Sequence, residues 1–183
     1  GEWLPRAVMA AEDQRFNDHL GYDLNDMLSA WSLNRQRGDE ERDMLYGGST
    51  LSQQLAKLLY TGDARTVSRK LRELLYAVEL DRTLGKARVM NLYLSIVPWG
   101  HGVCGAHEAA RLFLAKPAAD LSPMEAVWLA SLLRNPDREL ARMSRHGEID
   151  RERVAWVAAQ LRPMPRRNRE AWLAAAARWR APP

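Results

Sequence analysis

Glu12-Asp13-Gln14-Arg15-Phe16-Asn17-Asp18-His19-Leu20-Gly21-Tyr22-Asp23 follows directly on an apolar run, Ala7-Val8-Met9-Ala10-Ala11, and the rest of the chain is read outward from it. Residues 5 to 18 read as a helix, with Pro5 suited to its first turn because a missing N–H costs nothing there. A carboxylate at the end of an apolar helical run is partly desolvated. Desolvation disfavours the charged form, so such a Glu is expected to hold its proton more tightly than its reference value of about 4.3. That state suits a general base or acid near neutral pH. Taken alone, the same stretch is also what an acidic turn at the end of an amphipathic helix looks like.

Outward from this stretch the whole chain reads as helical, with no segment of period-2 alternation. Gly21 interrupts, and residues 24 to 36 form a second helix (Leu24, Met27, Leu28, Trp31) that stops near Gly38. The polar segment from Gly38 to Asp43 joins the first motif to the next and is a candidate lid. Residues 50 to 60 make a short helix, with Thr50 and Gln53 at capping-box spacing. Residues 64 to 84 make a long one, ended by Gly85, whose apolar face is expected to be Val67, Leu71, Leu74, Leu75 and Val78. Residues 86 to 96 and 105 to 114 are helices on either side of a Gly-rich loop, 98 to 105. Ser122, Pro123 and Glu125 open another helix as N-cap, first residue and N3. It runs to Asn135-Pro136, and two further helices, about 148 to 161 and 168 to 180, fill the tail.

Composition narrows the class without choosing a function. There are 27 Lys and Arg against 23 Asp and Glu, a net charge of +4, which suits an acidic partner such as a phosphate or an anionic surface. Basic and aromatic residues do not interleave along one face, which argues against nucleic acid. Cys104 is the only cysteine, so no intramolecular disulfide can form, and no Cys/His spacing suggests zinc. No segment approaches 18 consecutive apolar residues.

Two later stretches complete a pattern. One is Gly47-Gly48-Ser49-Thr50-Leu51-Ser52-Gln53-Gln54-Leu55-Ala56-Lys57, and the other Arg69-Lys70-Leu71-Arg72-Glu73. In order, E-D-x-x-F-x-x-H-x-G-x-D, G-G-S-T-x-x-Q-Q-x-x-K and R-K-x-x-E resemble the glycosyltransferase domain of bacterial peptidoglycan synthases and monofunctional transglycosylases. Weaker likenesses follow at 86 to 95, 109 to 116 and 121 to 136. The resemblance implies an all-α, lysozyme-like helical glycosyltransferase domain over residues 1–137, with 138–183 a helical C-terminal extension of it. Departures from the family's pattern are Leu58 for an Asn after the motif lysine, Ser95 for the Asn ending Y-L-N, Asn91 for a frequent Glu, and Leu114-Ala115 for Phe-Gly.

The activity it implies is inverting polymerisation of lipid II, an undecaprenyl-pyrophosphate-linked disaccharide-peptide, into β-1,4 glycan strands. By the same resemblance Glu12 is the catalytic base and Glu73 a second catalytic carboxylate. Ser49, Gln53, Gln54, Lys57, Arg65, Arg69 and Lys70 bind substrate sugars and pyrophosphate. Each residue also has a plainer reading. Gln53 could only complete the capping box, Lys57 could be a solvated charge, His19 a structural histidine, and Arg69 with Glu73 an ordinary i,i+4 pair. Glu73 could instead hold a divalent metal, Mg or Mn, although the chemistry itself needs no cofactor.

Partners implied are lipid II, the growing strand, the membrane surface and other cell-wall synthesis proteins, with no nucleic acid. The place implied is the periplasmic face of the bacterial inner membrane. The chain opens at Gly1, and a membrane anchor before it is expected to be missing from this stretch. Met27, Leu28 and Trp31 are one candidate to dip into the bilayer. A non-catalytic relative that binds lipid-linked precursor or other synthases is the alternative, supported by Leu58 and Ser95. A muramidase-like hydrolase fits less well, because a cation cluster for pyrophosphate would serve it no purpose.

Overall fold

The computed structural model describes residues 1–36, 48–62, 66–161 and 166–180. The candidate lid, Gly47, Arg65 and the side chain of Trp31 lie outside the described residues. The expected all-α class holds: among the described residues there is no strand, only the isolated bridges Leu20–Tyr22 and Pro98–Cys104. No helix among them is long and apolar enough to cross a membrane.

The helices are α1 (Trp3–Glu12), α2 (Leu24–Gln36), α3 (Leu51–Ala56), α4 (Val67–Ile96), α5 (Ala106–Leu114), α6 (Pro123–Leu132), α7 (Pro136–His146), α8 (Arg151–Gln160) and α9 (Arg166–Arg178). α3 widens into a π-helical turn, Lys57–Thr61, and a short 3-10 turn, Ala118–Asp120, precedes α6. The chain forms two compact units, Arg15–Leu92 and Gly1–Gln14 with Tyr93–Pro183.

In the unit formed by the two chain ends, α6 is the hub. Every residue from Met124 to Leu132 is buried, so the helix has no polar face to show to water. α1 and α8 both pack against it, and α9 packs on α8. Trp128 of α6 and Trp179 place their rings 5.7 Å apart, and Trp172 of α9 donates its indole N–H to the Ala158 carbonyl at 2.9 Å. The predicted capping box of α6 is present, with Ser122 and Glu125 exchanging bonds at both ends. Lys116 adds an ion pair to Glu125 at 2.6 Å. Burial works to raise the Glu125 pKa, but the bonds from Lys116 and Ser122 outweigh it and hold the carboxyl below its ordinary value.

In the other unit Phe16, Leu51, Leu55, Ala56, Ala77, Leu80, Val89 and Met90 make the core. α3 opens on the predicted capping box: Thr50 accepts from the Gln53 N–H at 3.2 Å, and the Gln53 side chain accepts from the Thr50 N–H at 3.0 Å.

Three expectations need correction. α1 stops at Glu12 rather than 18, because Asp13 leaves helical geometry (φ −158, ψ 81) and is itself buried. Between Asn135 and the tail lies a helix the pattern did not suggest, α7, capped by Asn135, started by Pro136 and stopped by Gly147 at φ +64. The expected apolar face of α4 is split: Val67 is 79% exposed, Leu71 60% and Leu75 66%, while Leu74 and Val78 are half-buried. The face of α4 turned inward carries Glu73, Ala77, Leu80 and Asp81 instead. The expected stop at Gly85 holds: at φ +74 and ψ 161 it leaves helical geometry, and the range of α4 joins two helices across that kink.

Candidate active site

Glu12 is the last residue of α1, half-buried, at the point where the helix gives way to the loop carrying the first motif. Its partner comes from far along the chain. Arg153 of α8 donates to Glu12 Oε1 at 3.3 Å and to the Ala11 carbonyl at 2.8 Å. The guanidinium lies over the Trp156 ring, 4.6 Å from its centroid. Tyr93, fully buried, feels the same carboxylate. Burial, and then the Glu12 charge, push its hydroxyl well above the ordinary 10.0. Arg153 sits below its usual value because burial disfavours its charge, while Glu12 works to restore it. The Glu12 carboxylate thus has a cation beside it, a neighbour the sequence did not suggest.

The second and third motifs meet within the unit Arg15–Leu92. Glu73 is buried on the inner face of α4 and is shared by two cations. Arg69 bonds one of its oxygens at 2.5 Å, and the Lys70 ammonium bonds the other. Lys70 also donates to Ser49 Oγ at 2.8 Å. Ser49, Arg69, Lys70 and Glu73 thus form one cluster, two cations to one carboxylate. Gln54 and Lys57 lie half-buried on α3 and at the start of the π-helical turn. Gln53 is fully buried, and its carbonyl oxygen is used by the capping box. The capping box therefore accounts for the Gln53 carbonyl oxygen, while its buried amide nitrogen has no partner among the described residues. The capping box also consumes the Gln53 and Thr50 N–H groups, so the start of α3 offers fewer free donors than the sequence suggests.

A divalent metal at Glu73 does not fit. Both carboxylate oxygens already face cations, and a metal ion would be a third positive charge on one carboxylate. No group of three or more His, Cys, Asp or Glu among the described residues could hold a metal.

Sequence reasoning missed the residue that ties the motifs together. Asp81, buried on α4, accepts from the Gly21 N–H at 2.6 Å, from Ser52 Oγ at 2.7 Å and from the Lys86 ammonium. Lys86 also lies over the Phe16 ring at 4.3 Å and 3.5 Å from His19 Nδ1. Thr50 donates its hydroxyl to the Gly21 carbonyl at 2.6 Å. The loop of the first motif is thus stitched by Gly21 and Phe16 to α3 and α4. Gly21 sits at φ +80, and a Cβ there would lie 2.5 Å from the Val78 backbone nitrogen, so only glycine fits. Asp23 closes the loop by accepting from the Asn25 and Asp26 N–H groups at the start of α2, with Arg15 3.2 Å away. Arg153 was missed for a similar reason: no local pattern marks a residue 141 positions from its partner.

These motifs and this helical frame define a class. The chain belongs to the transglycosylase family, whose match spans residues 1–162. Among its relatives is a biosynthetic peptidoglycan transglycosylase of Nitrosomonas eutropha, 44% identical over 133 residues that cover 73% of this chain and 53% of that protein. A protein of the same description from Azoarcus sp. is 40% identical over 158 residues, 84% of this chain and 67% of the relative. Another, from Nitrosomonas europaea, is 45% identical over 133 residues, 73% of this chain and 53% of the relative. The chain spans about half to two thirds of the length of these curated relatives.

Proposed function

We propose that this chain is an inverting peptidoglycan glycosyltransferase that extends glycan strands from a polyprenyl-pyrophosphate-linked disaccharide. The observation that carries the reading is the pair Arg69 and Lys70 held on one buried Glu73 beside Ser49, in a member of the transglycosylase family. Two cations against one carboxylate leave a net positive charge, and negative charge builds on a departing pyrophosphate as the bond to the anomeric carbon breaks.

In this reading the acceptor sugar's hydroxyl oxygen attacks the anomeric carbon of the donor. Its proton passes to the Glu12 carboxylate. The carbon–oxygen bond to the pyrophosphate breaks, and that oxygen leaves with the electron pair toward Arg69 and Lys70. One displacement inverts the centre, with no covalent intermediate. Glu73 acts by holding the two cations in place rather than by exchanging a proton. Ser49, Gln54 and Lys57 are assigned to sugar and phosphate contacts, and Arg65 belongs to the same assignment from sequence. No step runs through a metal.

The working place proposed is the membrane surface of the cell envelope, where a lipid-linked substrate is found. Support comes from the outward stripe Val67, Leu71 and Leu75 on α4, together with exposed Leu20, Leu24 and Leu28. An exposed apolar face of this kind suits a lipid surface.

The test is polymerisation of labelled lipid-linked disaccharide in detergent by the unaltered chain and by Glu12→Gln. Strands from the first and a loss of about a hundredfold or more from the second are expected, within the range for a positioned base. Equal activity in both would remove Glu12 from its role. Substrate binding with no product from the unaltered chain would favour a non-catalytic, precursor-binding relative.

A further inference from the structure

The C-terminal region carried no assignment from sequence, yet it supplies the side chain that meets Glu12. We infer that Arg153 of α8 is a positioning residue for Glu12, fixing the carboxylate and the Ala11 carbonyl before it so that the base is held ionised and correctly aimed. This rests on Glu12 being the base.

The geometry is that of a built contact. One guanidinium nitrogen reaches both the Ala11 carbonyl and Glu12 Oε1, at 2.8 and 3.3 Å. It therefore clamps the backbone and the side chain of the helix end together. Its own placement is over-determined. Asp150 caps α8 through the Arg153 N–H at 2.8 Å, Val154, Val157 and Ala158 are buried, and the Trp156 ring supports the guanidinium plane. α8 also packs on α1, α6 and α9, so the arm carrying Arg153 is anchored on three sides.

Stability does not explain the arrangement. Both side chains are 85% removed from water, and the Arg153 Nε–H is buried without a partner among the described residues. A desolvated pair that leaves a donor unsatisfied is weak support for a fold, and an apolar residue of similar size would serve packing as well or better. What an apolar residue would not supply is a positive charge at the Glu12 carboxylate. Charged and titratable groups that bear on the pair include Tyr93 on α4, Arg134 after α6 and Asp150 at the start of α8. Tyr93 stays neutral through the working range, and Arg134 and Asp150 bear on Arg153 with opposite sign. Arg153 is thus a cation in direct contact with Glu12.

The test measures kcat, KM and the pH profile of strand synthesis for Arg153→Met and Arg153→Lys, together with thermal midpoints of Arg153→Met, Glu12→Gln and the double variant. Removing the cation should move the acidic limb of kcat/KM upward by about one pH unit, the lower end of the effect of a neighbouring opposite charge. It should lower kcat about tenfold with little change in KM, as expected for a misaimed base. Lys, which keeps the charge but cannot bridge both acceptors so well, should restore much of the limb and less of kcat. The midpoint loss in the double variant should be smaller than the two single losses together.

An unmoved acidic limb and unchanged kcat in folded Arg153→Met would overturn the inference, as would additive midpoints. If Arg153→Met does not fold, Arg153→Lys decides: a pH profile and kcat identical to the unaltered chain overturn the inference. Full activity of Glu12→Gln is a separate result that removes the base assignment itself, whatever the midpoints show.

Discussion

Replacing Glu73 by Gln keeps the shape of the side chain and removes its charge, and the consequence can be worked from the surroundings. Glu73 is 3% exposed, Arg69 15% and Lys70 39%. Breaking a buried pair by removing one partner costs about 3–5 kcal/mol, because the remaining charge is left uncompensated. Arg69 meets that condition. Lys70 is exposed enough for water to screen much of its share, so the cost falls to the bottom of that range or below it, about 2–3 kcal/mol. In a chain of this length each kcal/mol moves the melting midpoint by about 2–4 °C, so a loss of about 4–12 °C is expected. The assay is thermal unfolding by circular dichroism, with and without inorganic pyrophosphate. In the variant the two cations repel each other unrelieved, so pyrophosphate should raise its midpoint more than that of the unaltered chain. A midpoint within about 1 °C of the unaltered chain, on the same scale, would refute the reasoning, since the shared carboxylate would then not be holding Arg69.

Two further predictions concern packing and the surface. Tyr93 is held neutral by burial and by the Glu12 charge, so its folded pKa lies well above the 10.0 of the unfolded chain. Its contribution is fully present below pH about 10 and is lost as pH climbs from there toward the folded value, because the unfolded chain ionises first. Denaturant unfolding between pH 8 and 11.5 should show the unaltered chain losing stability faster than Tyr93→Phe, by up to about 1.4 kcal/mol per pH unit; parallel curves would contradict this. Leu71→Asp with Leu75→Asp should leave folding intact, since both side chains are exposed, and weaken sedimentation with anionic lipid vesicles by about tenfold or more. Undiminished vesicle binding would remove that stripe from the membrane face.

Where a signal is local, the sequence was sufficient. Residues 24 to 36, the Thr50–Gln53 and Ser122–Glu125 boxes, and the break at Gly85 all rest on groups within four residues of one another, and each stands in the structure. The order of the three motifs reached the family in the same way. What stayed illegible depends on distance or on a face that serves something other than the core. An apolar stripe at helical spacing predicts burial, yet Val67, Leu71 and Leu75 face outward while Glu73 and Asp81 go in, because the inner face of α4 is built for polar bonds. Arg153 and Asp81 could not be found at all: their partners lie 141 and 60 residues away, and neither residue type is unusual in a helix. α7 was the exception, since Asn135, Pro136 and Gly147 were signals in plain view.

Asp81 also limits how this sequence can drift. Its carboxylate receives an amide from Gly21, a hydroxyl from Ser52 and an ammonium from Lys86, three donors and nothing else in those contacts. Asn would turn an amino group toward one of them, Ala would strand all three, and Glu would carry the oxygens a methylene too far. No single substitution keeps the set. A lineage leaving aspartate at 81 must therefore also change 52 and 86, while position 21 remains closed to any residue with a side chain. Four positions scattered over 66 residues behave, for inheritance, as one.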